Sequence, residues 1–158
     1  MRLPVIVSIT LFFSVLHSGY AQQMGGRPVD KPAIFGKGNR GPAETFTGTV
    51  WVNILAPNDS TYTTSVASVL FEPGARTFWH LHPAGQLLLV TDGAGYYQEQ
   101  GKPIQPIHQG DVVKCLPNVL HWHGASPTHS LTHIAINPNT EKGIVVWKQA
   151  VTDQEYRK

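Results

Sequence analysis

The chain of 158 residues is long enough for one domain with a proper core and too short for two ordinary domains. Glycine (15) and proline (12) are plentiful and only 14% of the residues are charged, which favours short strands joined by turns over a helical bundle. The formal net charge is +2, and the lysines and arginines are scattered along the chain. This distribution argues against a nucleic-acid partner, because such proteins concentrate positive charge on one face.

The first 21 residues have the pattern of a signal peptide. Arg2 supplies a positive start, Pro4–Leu16 is a run of apolar and small residues, and Gly19-Tyr20-Ala21 places small residues before Gln22. A membrane anchor is the less favoured alternative, because the run is shorter than the roughly 20 residues that span a bilayer. We therefore predict export to the periplasm or the extracellular space, removal of residues 1–21, and no membrane attachment afterwards.

The remaining chain is predicted to form one all-β domain. Residues 22–45 are rich in glycine, proline and charge, which is typical of an extended N-terminal arm. Over residues 46–158, turn residues such as Asp92-Gly93 separate short strand-like runs, a spacing that favours an antiparallel sandwich or barrel. Thr152-Asp153-Gln154-Glu155 forms a capping box and predicts a short C-terminal helix. The predicted strands are 46–55, 63–71, 77–82, 86–91, 95–98, 112–116, 121–124, 131–136 and 144–148.

Two histidines and a glutamine indicate a metal site. On one strand, successive side chains point to opposite faces, so His80 and His82 share a face. After the turn at Pro83-Ala84-Gly85, Gln86 opens the next strand and can direct its amide oxygen to the same point. One more imidazole would complete four protein ligands.

Further histidines alternate in two later strands. His121 and His123 share one face, and His133 lies on a neighbouring run. A single strand histidine is usually a hydrogen-bonded core residue. Several imidazoles on inward faces are harder to explain in this way, because each brings two nitrogens that must be satisfied after burial. A bound metal ion would satisfy them.

The spacing of these residues resembles that of the cupin family. The segment Gly74–Gly93 matches the first cupin motif, with His80-x-His82 in place and Gln86 where most cupins have a glutamate. The second motif is matched more loosely, with Gly110-Asp111 at its start and His121 at its metal-binding histidine. The resemblance implies a single cupin (jelly-roll) β-barrel, a homodimer or homotetramer, and a divalent metal held by the residues His80, His82, Gln86 and His121.

A narrower similarity points to the bacterial manganese-dependent cupin hydroxynitrile lyases. It runs from about Phe46 to the C-terminus, and the segments that carry it are Phe71–Gln86, Gly110–Val113, His121–Ala125, Thr132–Ile136 and Val151–Arg157. It implies Mn²⁺ in a site of three histidines and one glutamine, and a small cyanohydrin as substrate. The predicted signal peptide is a departure from the cytosolic members of that group.

The expected donor set leaves the ion with its full +2 charge and suits Mn²⁺ or Fe²⁺, while affinity order favours Zn²⁺ or Ni²⁺. We expect His133 and His123 to carry the catalytic proton, and supporting the metal ligands is their alternative role. The pocket walls are predicted to include the inward residues Ala67, Val69, Phe78, Leu88 and Asn137. Two other functions stay open, a metal-dependent oxygenase and a non-catalytic cupin that binds a small molecule.

Overall fold

The computed structural model of the protein describes residues 33–157, so the predicted signal peptide lies outside the described residues. Almost all regular structure in this range is β-strand, and within it no helix is long and apolar enough to cross a membrane. The strands are β1 (Asn39–Arg40), β2 (Phe46–Thr47), β3 (Val50–Ala56), β4 (Ser65–Phe71), β5 (Arg76–Thr77), β6 (His80–Leu81), β7 (Gln86–Glu99), β8 (Gln105–His108), β9 (Val112–Cys115), β10 (His121–Ala125), β11 (Leu131–Asn137) and β12 (Val146–Trp147). A 3₁₀ turn (Thr140–Lys142) and the helix α1 (Asp153–Tyr156) complete the fold.

Two antiparallel sheets share the long strand β7 and curl into a barrel. The first sheet has the order β1-β3-β4-β11-β7-β9. In the second sheet, β7 lies between β8 and β10, and β10 pairs with both β5 and β6. β5 pairs in turn with β2, and β6 pairs with β12. The jelly-roll architecture predicted from the sequence is confirmed.

The core fills the space between the sheets. Its centre consists of aliphatic and aromatic side chains that are almost fully buried, including Phe71, Leu88 and Leu131. A second cluster lies on the outer face of the second sheet, where Trp79 and Trp122 are covered by α1. Trp122 stands between two histidines of β10, so strand alternation directs it outward while the histidines face the interior.

The C-terminal helix begins at the predicted capping box. The Thr152 hydroxyl accepts from the Glu155 backbone N–H, and the Glu155 carboxylate accepts from the Thr152 backbone N–H. The Tyr156 hydroxyl donates to the Ala125 carbonyl at 2.8 Å, and the buried Arg76 guanidinium donates to Asp153 at 2.7 Å. These contacts tie the end of the chain to β5 and β10.

The predicted strand 46–55 is divided into β2 and β3, and β8 was not predicted. Two further predicted boundaries are wrong for a physical reason. The predicted turn at Asp92-Gly93 is a bend within β7, where the strand passes from one sheet to the other. Gly93 has φ 77°, and a β-carbon there would lie 1.9 Å from the Ser130 carbonyl oxygen. The run 77–82 is also interrupted, because Arg76 pairs with Gly124 and His80 with His121, so four steps on one strand oppose three on the other. This one-residue excess is a β-bulge.

Candidate metal centre

The histidines of β6 and β10 meet across a strand pair. His80 lies directly opposite His121, and their ring centroids are 4.4 Å apart. His82, just after β6, has its ring 5.2 Å from that of His80 and 5.6 Å from that of His121. All three side chains are buried, and one nitrogen of each lies within 4.8 Å of the others. Three buried histidines thus form a site that could hold a metal ion.

The tautomer of each of these histidines is fixed by the backbone. Nδ1 of His80 donates to the Phe78 carbonyl and Nδ1 of His121 to the Val119 carbonyl, each at 2.9 Å. Nδ1 of His82 donates to a distant carbonyl, that of Ile144, at 2.6 Å. Because a carbonyl can only accept, Nδ1 carries the proton and Nε2 keeps its lone pair.

The free lone pairs fit a metal ion. Nε2 of His82 and Nε2 of His121 are buried without a hydrogen-bond partner in the described structure. A buried nitrogen with no partner is costly, and a cation between the rings would satisfy both atoms. The unpartnered Nε2 atoms therefore suit a divalent metal ion.

Burial also keeps these imidazoles in the form that binds metals. It lowers the pKa of His80 well below its usual range, and the neighbouring rings of His121 and His82 add to the effect. Burial lowers the pKa of His121 to about 4 and also lowers the pKa of His82, where the Ile144 carbonyl opposes the effect. All three rings are neutral near pH 7, as a metal ligand must be.

Gln86 is the first residue of β7 and is buried beside the histidines. Its Nε2 donates to Oδ1 of Asn137 at 2.9 Å, and its Oε1 is 4.0 Å from Sγ of Cys115. Cys115 is the only cysteine of the chain, and burial raises its thiol pKa to about 12. The amide oxygen of Gln86 therefore has a neutral thiol beside it, and its predicted role as fourth ligand stays a prediction.

The two histidines expected to move protons contact each other. Nε2 of His133 lies 3.2 Å from Nδ1 of His123, and both rings are buried. The His123 ring is 5.2 Å from that of His80, and Phe71 packs against both members of the pair. Burial lowers the pKa of His133 to about 3 and that of His123 further below its usual range. The pair is therefore neutral and next to the candidate metal site.

One cavity of about 300 Å³ opens onto this centre. Its polar end is formed by His80, His82, Gln86, His123 and His133, and most of the other walls are apolar. Those other walls are Phe46, Val52, Ile54, Ser65, Ala67, Val69, Phe71, Thr77, Ala135, Asn137, Ile144, Val145 and Trp147. The volume and the apolar lining suit a small, partly aromatic molecule.

The predicted walls Ala67, Val69 and Asn137 line this cavity, whereas Phe78 and Leu88 do not. The bulge before His80 is the reason for the first error, since it brings Thr77 to the inner face in place of Phe78. Leu88 is fully buried in the hydrophobic core. Trp147, which the sequence analysis did not place at the site, has its ring 4.8 Å from that of His80. Its strand β12 is only two residues long, too short for an alternation pattern to reveal.

Comparison with known proteins agrees with this architecture. Residues 67–146 match the cupin domain family. The (R)-mandelonitrile lyase of Granulicella tundricola is 48% identical over 119 residues, which cover 75% of this chain and 91% of that protein. A cupin-like protein from Thermotoga maritima is 49% identical with a TM-score of 0.78, covering 79% of this chain and 95% of the other.

A conserved-barrel cupin from Rhodopseudomonas palustris, 19% identical with a TM-score of 0.56 over 74% of this chain and 77% of that one, shares the fold alone. The family match, the identity to the lyase and the barrel with its three-histidine site all lead to one assignment. This chain belongs to the cupin family.

Proposed function

We propose that this cupin is a divalent-metal-dependent lyase that cleaves or forms cyanohydrins. The observation that carries the proposal is the contact between His123 and His133, which places a neutral imidazole pair on the wall of the cavity that also holds His80 and His82. The 48% identity to a protein named (R)-mandelonitrile lyase supports the substrate class. The apolar walls around Phe71 and Trp147 give an aromatic cyanohydrin a favourable environment.

His80, His82 and His121 would hold the metal through Nε2, and Gln86 would contribute its amide oxygen as a fourth ligand. We propose Mn²⁺ as the ion, because neutral nitrogen and oxygen donors suit it; Fe²⁺, Zn²⁺ and Ni²⁺ are the alternatives. When bound, a divalent ion supplies Lewis-acid polarisation of a substrate oxygen.

The histidine pair supplies the acid–base chemistry. Nδ1 of His133 is buried without a partner in the described structure, so it is the atom free to take the hydroxyl proton of the cyanohydrin. The C–C bond then breaks, its electron pair leaves with cyanide, and the former hydroxyl oxygen becomes the carbonyl oxygen of the aldehyde. The proton returns to cyanide, giving HCN. His123 stabilises the protonated ring of His133 through the 3.2 Å contact.

The test compares three properties of the purified protein: cleavage of mandelonitrile, uptake of O₂ and binding of mandelonitrile. Mandelonitrile is incubated with protein loaded with Mn²⁺, and benzaldehyde release is followed beside O₂ consumption by protein loaded with Fe²⁺. The proposal predicts benzaldehyde release that depends on the metal and O₂ uptake no greater than in buffer. O₂ uptake without cleavage would favour the oxygenase, and mandelonitrile binding without either reaction would favour a binding protein.

We also propose that the protein is exported to the periplasm or the extracellular space and assembles as a homodimer or homotetramer. The sequence pattern of residues 1–21 supports export, and the cupin resemblance supports assembly. N-terminal sequencing of protein from the exported fraction should begin near Gln22. A chain that retains Met1 in the cytoplasm would contradict export.

A further inference from the structure

The amide of Gln86 can be useful to a metal only in one of its two orientations. The amide oxygen can act as a ligand, whereas the amide NH₂ group has no lone pair to offer. The two orientations have nearly the same shape, so packing alone cannot choose between them. Something in the surroundings must bond to the NH₂ group and leave the oxygen on the side of the histidines.

Asn137 is placed to make that choice. Ile136 of β11 pairs with Leu87 of β7, so the next positions along this register set Asn137 opposite Gln86. Nε2 of Gln86 donates to Oδ1 of Asn137 at 2.9 Å, and this bond directs Oε1 away from β11. If the Gln86 amide alone were inverted, two oxygens would face each other across the strand pair.

The surroundings on the other side of the amide agree with this orientation. Oε1 of Gln86 lies 4.0 Å from the Cys115 thiol, which is a weak donor. Gln86 is only 7% exposed, so little water is available to replace the bond that Asn137 accepts. Asn137 itself lines the cavity at the end of the strand that also carries His133.

We propose that Asn137 is a positioning residue, which orients the Gln86 amide so that its oxygen serves as the fourth metal ligand. The inference rests on the proposed function only in treating the three histidines and Gln86 as a metal centre. A glutamate at position 86 would not need such a partner, because its two carboxylate oxygens are equivalent. The dependence on Asn137 should therefore exist only while residue 86 is a glutamine.

A double-mutant cycle on Mn²⁺ affinity tests this dependence directly. The dissociation constant of Mn²⁺ is measured by equilibrium dialysis, with electron paramagnetic resonance of free Mn²⁺, for four proteins: wild type, Asn137→Leu, Gln86→Glu and the double variant. Asn137→Leu should weaken Mn²⁺ binding about tenfold or more in the wild-type background, because the loss of a residue that orients a metal ligand commonly has an effect of this size. In the Gln86→Glu background it should change the dissociation constant by less than about twofold.

Three further variants separate positioning from a general structural role. Asn137→Asp keeps an oxygen that accepts from Nε2 and should bind Mn²⁺ at least as tightly as the wild type. Ser65→Ala is the matched control, because Ser65 pairs with Asn137 across β11 and β4, and the hydrogen bonds of the Gln86 amide in the described structure go to Asn137 and Cys115. It should leave the dissociation constant unchanged. Asn137→Ala repeats the cycle with a smaller side chain, so the result does not depend on how leucine packs.

An equal loss of affinity from Asn137→Leu in both backgrounds would overturn the inference, as would no loss in either. These results do not depend on lyase activity. A wild-type protein that binds Mn²⁺ in the predicted way but leaves mandelonitrile intact would refute the proposed function and leave the role of Asn137 standing.

Discussion

At the level of single residues, the site depends on how each imidazole is held. The Nδ1 atoms of His80 and His121 bond to carbonyls two residues earlier in the chain, so these two rings are oriented locally. His82 instead bonds to the Ile144 carbonyl, which belongs to a segment that lines the cavity. The orientation of one candidate ligand therefore depends on the wall of the cavity.

The different roles proposed for the histidines lead to opposite expectations for their alanine variants. His80→Ala should lose bound metal, because it removes one of three converging nitrogens. His133→Ala should keep the metal but lower the rate of mandelonitrile cleavage about 100-fold or more, the usual size of a general-base effect. Elemental analysis and initial rates on the same samples check both. A His133→Ala protein that loses its metal would assign His133 to the support of the metal site instead.

At the level of secondary structure, the sequence predicts most of the site because the strands alternate regularly. His121 and His123 lie on one uninterrupted strand, β10, so period-two reasoning places both inside and Trp122 outside. The same reasoning fails at Phe78, because a β-bulge depends on pairing with a distant strand and leaves no local pattern. Asp92-Gly93 is a turn signal by composition, yet here Gly93 allows a continuous strand to bend as it passes from one sheet to the other.

The bend in β7 can be tested at Gly93, where the conformation and the space both exclude a side chain. Gly93→Ala should lower the free energy of unfolding by more than about 3 kcal/mol, since it adds a clash with the Ser130 carbonyl to the strain of a positive φ. Gly101→Ala is the matched control: Gly101 has φ 78° but open space around it, so we expect a loss of about 1 kcal/mol. Urea denaturation measures both. Equal losses would show that Gly93 is needed only for its positive φ, and not for the close approach to the Ser130 carbonyl.

At the level of the whole molecule, the barrel buries five neutral imidazoles in one interior. Burial lowers the pKa of every one of them, to about 4 for His121 and about 3 for His133. In the unfolded chain the same groups titrate near about 6.5. Below that pH the unfolded state binds more protons than the folded state, so acid favours unfolding.

The metal-free protein should therefore be most stable above about pH 6.5 and should lose stability as the pH falls from there towards 4. For each buried histidine, the free energy of unfolding falls by about 1.4 kcal/mol for every unit that the pH drops between the unfolded and folded pKa values of that histidine. Urea denaturation at several pH values, with chelator present, measures the slope. His133→Phe should make the slope shallower, because it removes one buried group that must be protonated on unfolding in acid. A pH-independent stability between 6.5 and 4 would contradict this.

In the proposed function, one metal ion at the three-histidine site supports cyanohydrin cleavage. The most direct measurement is to strip the purified protein with a chelator, add back Mn²⁺ in small steps, and record the initial rate of benzaldehyde release from mandelonitrile at each step. We predict almost no rate without metal, a linear rise as Mn²⁺ is added, and a plateau at one ion per chain, with no recovery in His80→Ala. Cleavage that persists in the stripped protein, or a filled site with no rate above buffer, would contradict it.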